Sequence, residues 1–223
     1  MKRALAGVVA MIALVGSACG GGSNNAADEP STTSTTARPA PTEAEAKAAL
    51  LAPSDVPTGW KAEASSDEEE DDEPCPEFTT LNAHKAVAEA SVEFSPGEVG
   101  PFVEHEVLLY ADVAGAERYM TLAEQAVAAC KSFTDNDPDL GKLTGSFTAA
   151  ASPGLGDASL AATMSGKGTG IAMSGDIIAV RKGRAISLVS QVAVQVGKAG
   201  SKLQANLTKE LAAKATAKLQ AVA

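Results

Sequence analysis

The chain has 223 residues, with 18 Lys and Arg against 28 Asp and Glu, so its formal net charge is −10. That balance excludes an ordinary nucleic-acid binder, whose phosphate affinity comes from clustered Lys and Arg, and the 4% aromatic content is too low for a base-stacking platform. No apolar run reaches the ~20 residues that a transmembrane helix needs.

Met1, Lys2 and Arg3 form a short positive start. Residues 4–15 are apolar, the length of a signal-peptide h-region and too short to span a bilayer. Val15-Gly16-Ser17-Ala18-Cys19 follows, and these small residues before a cysteine resemble the lipobox of bacterial, here actinobacterial, lipoproteins. The resemblance implies that residues 1–18 are a signal peptide and that Cys19 is the lipidated, palmitate-bearing first residue of the mature chain. Gly16 stands where Leu is usual. The alternative is an ordinary secretory signal cut by the general peptidase, with Cys19 left over. A doubly acylated cysteine holds a protein stably at a membrane without a spanning segment. Loss of Lys2 and Arg3 leaves the mature chain at −12, so anionic head groups would repel it and the anchor must be hydrophobic.

Residues 19–41 read as the lipidated cysteine and a Gly/Ser/Thr/Pro tether. This stretch has no apolar periodicity and cannot offset its ordering entropy. As a coil it would reach about 26 Å. It is a spacer, or a glycosylated stalk in the alternative.

One α+β domain is expected over residues 42–223. Thr42-Glu43-Ala44-Glu45 is a capping box opening a short helix with Ala46, Leu50 and Leu51, which Pro53 ends. Pro57-Thr58-Gly59 turns the chain into Trp60. Asp67, Glu68, Glu69, Glu70, Asp71, Asp72 and Glu73 repel one another and read as a solvated loop closed by Pro74-Cys75-Pro76. Residues 88–94 alternate with period two, Ala88, Ala90, Val92 and Phe94 opposite Glu89, Ser91 and Glu93. Residues 102–110 form a second strand, with Val103, His105, Val107 and Leu109 opposite Phe102, Glu104, Glu106, Leu108 and Tyr110.

The period then changes. Asp112 caps a helix to about Cys130, its stripe being Ala116, Tyr119, Met120, Ala123, Ala126, Val127 and Cys130. Residues 135–141 read as a loop. Four more strands are expected at 143–151, 158–164, 171–180 and 185–194, the last two joined by a hairpin at Arg181-Lys182-Gly183-Arg184. Ser201 is expected to cap a final helix carrying Leu203, Leu207, Leu211, Ala215 and Leu219 on one face. The sum is an antiparallel sheet of about six strands against two or three helices.

Three cysteines are present. With Cys19 lipidated and the compartment oxidising, parity leaves a Cys75–Cys130 disulfide, two free thiols being the alternative. A redox pair would need Cys-x-x-Cys spacing, which is absent.

The search for chemistry finds no Gly-x-Ser-x-Gly elbow and no Ser-x-x-Lys. His84 and His105 are the available bases, and His105 lies in line with Val103 and Val107, the position of a packed core histidine. Gly166-Lys167-Gly168 lacks the residues of a phosphate loop, and Gly154-Leu155-Gly156 is half of a dinucleotide fingerprint. The stretch from Asp135 to Gly141 imitates the start of a calcium loop, but its Gly comes one place late and Ser146 replaces the bidentate Glu. Glu104, Glu106 and the two histidines lack zinc spacing. The reading is therefore non-enzymatic, with no cofactor and no resident metal.

The strand ending Val107-Leu108-Leu109-Tyr110, then Ala114-Gly115-Ala116 opening a helix that closes on Cys130, resembles the extracellular sensor domain of mycobacterial receptor Ser/Thr kinases. The opening from Leu51-Ala52-Pro53 through Val56-Pro57-Thr58-Gly59-Trp60 is similar to the start of that domain. The resemblance implies an antiparallel sheet packed on helices, with a cleft that takes a ligand. The kinase sensors carry two disulfides; this chain has the cysteines for one. The expected function is a lipid-anchored domain on the extracytoplasmic face of the cell membrane that binds a ligand or an envelope protein, and no nucleic acid. A carrier with an internal cavity for lipid or another small apolar ligand is the alternative.

Overall fold

A computed structural model describes residues 39–63, 75–137 and 141–223. The α+β class holds, and the described residues form nine strands and four helices in place of about six and two or three. Every strand pairing is antiparallel. The order is β1 (Lys61–Glu63), β2 (Ala88–Ser95), β3 (Phe102–Leu109), β8 (Ala185–Val196), β7 (Ile171–Lys182), β6 (Ala158–Gly168), β5 (Gly141–Ala150) and β4 (Phe133–Asp137), with β9 (Ala199–Gly200) beside the end of β8.

Two helices cover each face. α1 (Glu43–Ala48) starts in the expected capping box: Glu45 N–H donates to Thr42 Oγ1 at 3.3 Å, and Thr42 N–H donates to Glu45 Oε2 at 2.7 Å. It ends at Ala48, before the proline that was expected to stop it. α1 rests on β2 and β3, while α4 (Leu207–Leu219) rests on β7 and β8. Their apolar stripes bury Ala46, Leu211, Ala215 and Leu219 against Val103, Val107, Leu109 and Val189. Lys218 of α4 holds Asp55 at 3.1 Å and so ties the loop after α1 to the same face.

On the other face α3 (Val113–Ala129) crosses β5, β6, β7 and β8. Asp112 caps it, its Oδ1 accepting from Gly115 N–H at 2.8 Å, and the buried stripe is the one the spacing predicts. α2 (Pro76–Asn82) packs on α3 and buries Phe78 and Leu81. Pro76 suits the first helical position because that N–H has no intrahelical partner anyway.

Three expectations need correction. Ser201 does not cap α4; the cap is Asn206, in the left-handed region at φ 65°. Ser201 is instead tied to β8, donating its N–H to Val194 O at 2.8 Å and accepting Val194 N–H on Oγ at 3.1 Å, so the helix cannot begin there. The expected loop at 135–141 begins as strand β4, in register with β5. An edge strand tolerates Asp and Asn because one side of it faces no partner. Gly145, opposite Phe133, makes the pairing possible, since a Cβ there would overlap the Phe133 ring. Finally, β6, β7 and β8 run to Gly168, Lys182 and Val196, beyond their expected ends.

Candidate ligand-binding face

The Cys75–Cys130 disulfide is formed, with Cα atoms 5.9 Å apart. It joins the residue before α2 to the residue after α3, so both helices are held as one layer. Cys19, the expected leader, most of the expected tether and the acidic run from Asp67 to Glu73 lie outside the described residues, as do 138–140 of the calcium-like stretch. Gly166 and Lys167 lie within β6, paired with β7, and form no loop around an anion.

The two histidines sit in different settings. His84 Nε2–H donates to Gly115 O at 2.8 Å, and its ring stacks on Tyr110 at a centroid distance of 5.0 Å. The Tyr110 hydroxyl returns a bond to His84 O at 3.1 Å, so the start of α3 is bonded to the segment before β2. His105 is fully buried. Its Nδ1 accepts from Leu51 N–H at 3.0 Å, which leaves the ring proton on Nε2, where it is donated to Ser187 Oγ at 2.9 Å. A serine beside a histidine is the start of a nucleophilic dyad, but here the nitrogen facing the hydroxyl already bears the proton and cannot act as its base. Burial, with Lys218 adding, pushes His105 down to about 3, against the pull of Asp55.

Chemistry gathers elsewhere. Strand registers place Glu63 opposite Glu93, Glu93 opposite Glu104, and Glu104 opposite Ser190. Directly paired residues in a sheet point to one face. Three carboxylates and a hydroxyl therefore form a row across β1, β2, β3 and β8. Glu106 lies one step along β3 on the same face, opposite Ser91, and Glu89 follows one step further. This is the face of Leu108 and Tyr110, which pack with α3.

The row is poorly compensated. Glu106 is buried, and Glu89, Glu93 and Glu104 are partly buried. Among the described residues, neither Glu104 nor Glu106 makes an ion pair or a side-chain hydrogen bond. Burial, with Glu93 adding, raises Glu104 to about 8. Burial, then Glu104 and Glu89, raises Glu106 well above the usual carboxylate range, against the pull of Lys85. Burial also raises Glu93, with Glu63 adding. Tyr119 is held high by burial and by Glu106. Ser190 is 4% exposed, and its hydroxyl has no hydrogen-bond partner among the described residues.

The alternation of β3 already separated Glu104 and Glu106 from His105. The row itself was invisible, because it exists only once three strand registers are known.

No protein-family model and no curated protein matches the chain. A solved structure does: the extracellular domain of PknH from Mycobacterium tuberculosis, with a TM-score of 0.64 and 16% identity over 83% of this chain and 99% of that one. The chain thus shares the fold of that extracellular domain, an antiparallel sheet packed on helices such as the resemblance of the Val107–Cys130 and Leu51–Trp60 stretches implied. No helix among the described residues is long and apolar enough to cross a membrane.

Proposed function

We propose that this chain is a cell-envelope lipoprotein, anchored through Cys19 on the extracytoplasmic side, whose sensor-like domain binds a ligand without catalysis. The observation that carries ligand binding is the carboxylate row ending at Ser190, which finds no pairing cation among the described residues. Burial and Glu93 raise Glu104 to about 8, and a carboxyl perturbed in this way marks the kind of site where binding is found. The likeness to an extracellular domain and the leader with its lipobox support the location.

Two measurements test the reading. Detergent partitioning should place the full chain in the detergent phase and release Cys19→Ser to the aqueous phase or leave it unprocessed; wild type in the aqueous phase refutes the anchor. Native mass spectrometry of the full chain from its own host should show a retained molecule that Glu104→Gln loses. A ligand-free wild type, or retention unchanged in the variant, refutes binding at this face.

A further inference from the structure

The row has the geometry of a site for an extended organic cation. Its members repeat at the strand spacing of a sheet, about 4.8 Å. A divalent metal draws carboxylate oxygens to within about 2.6 Å of one point. Carboxylates fixed on three successive strands do not converge in that way, and among the described residues no three His, Cys, Asp or Glu gather to share an ion. Ammonium groups on short alkyl spacers, in contrast, repeat at roughly the spacing of neighbouring strands.

The surroundings agree. Lys61 and Lys85, the cations on or beside β1 and β2 here, are exposed and pair with neither Glu104 nor Glu106. Phe102, partly exposed and one step from Glu104 on the same face, offers apolar surface to methylene segments, while its paired neighbour Val192 is buried in the core. The Ser190 hydroxyl, buried and unpartnered, stands at the inner end of the row, where it can accept a hydrogen bond from an N–H donor. Like charges directly opposite in a sheet are destabilising, so a ligand that lies along the row removes a repulsion that the free protein carries.

We infer that the Glu63–Glu93–Glu104–Ser190 row binds a linear alkyl polyamine, with ammonium groups on successive carboxylates and its inner end at Ser190. This rests on the ligand-binding reading above and gives the ligand its chemical class.

The test is calorimetric melting of the full chain at pH 8 with spermidine, against sodium chloride and magnesium chloride at matched ionic strength. A saturable rise of about 5 °C at a hundredfold excess over Kd is expected with spermidine alone. The double variant Glu93→Gln/Glu104→Gln should melt at or above wild type, since it relieves repulsion, and should lose the rise. Ser190→Ala should fold and weaken binding several-fold. No rise beyond the salt controls, an equal rise with magnesium, or a rise retained in the double variant overturns the inference. The last outcome would place binding elsewhere on an acidic surface. If spermidine fails while native mass spectrometry still finds a Glu104-dependent ligand of another kind, the polyamine assignment falls and the ligand-binding reading stands.

Discussion

His105 has one ring proton to place, and the bond from Leu51 N–H places it on Nε2. The side chain thereby joins the loop after α1 to β8 through Ser187, its diagonal cross-strand neighbour. Only the neutral ring can do this, because a proton on Nδ1 would face a donor. Truncation would leave a cavity and strand both Leu51 N–H and the Ser187 hydroxyl. His105→Ala should therefore cost about 3 kcal/mol of stability, measured by urea unfolding. A loss under about 1 kcal/mol would show that this bridge is not structural. Glu104 behaves in the opposite way: Gln keeps the shape and removes a carboxyl that, once ionised, no described residue pairs. The buried His105 is thus satisfied within the domain, whereas the partly buried Glu104 has no partner among the described residues, and this difference separates structure from site.

Among the elements, the helix layer of α2 and α3 depends most on a covalent link. Cys75 and Cys130 are 55 positions apart, and closing a loop of that size removes about 4 kcal/mol of unfolded-chain entropy on the chain-entropy model. Reduction should lower the unfolding free energy by about that much, and Cys75→Ser/Cys130→Ser should match the reduced protein in a denaturant titration. A reduced protein as stable as the oxidised one would contradict the role given to the bridge. How much of this was legible follows from the same elements. α3 shows itself through a long 3.6-residue stripe, and β2 and β3 through strict alternation, because each packs one face. The short α2, with Phe78 and Leu81 as its buried residues, leaves almost no periodic trace. β4 reads as a loop because Asp and Asn dominate it, and the edge of the sheet and Gly145 are what make it a strand. Ser201 has the residue type of a helix cap, but pairing with β8 overrides that local preference. The carboxylate row could not be read at all, since alternation fixes the face of each strand and says nothing about which residues stand opposite.

For the whole molecule, the two kinds of buried group set opposing responses to acid. Glu89, Glu93, Glu104, Glu106 and Asp176 all have raised pKa values in the folded state, burial being the first cause in each. A raised carboxyl holds its proton more tightly in the folded state than in the unfolded one. Its contribution is fully present at low pH and is lost as pH rises, for Glu104 between 4.5 and about 8. His105 is depressed, so the unfolded state takes up the proton first, and stability falls as pH drops from 6.5 toward about 3. Asp55 and Asp157 are lowered, Asp157 chiefly by the Gly183 N–H and Lys182, Asp55 by Ala52 N–H and Lys218 against burial; their contribution is lost in acid as well. Above pH 6.5 the raised carboxyls therefore set the slope by themselves, and below 4.5 His105 and the lowered aspartates reverse its sense. Melting temperature should peak at about pH 5 and decline steadily toward pH 8.5. Glu104→Gln should flatten the alkaline limb and leave the acid limb in place, whereas His105→Gln should shallow the acid limb. A wild-type melting temperature that is level or rising between pH 6.5 and 8.5 would show that the glutamates of this face ionise freely, and that the row carries no unrelieved charge for a ligand to neutralise.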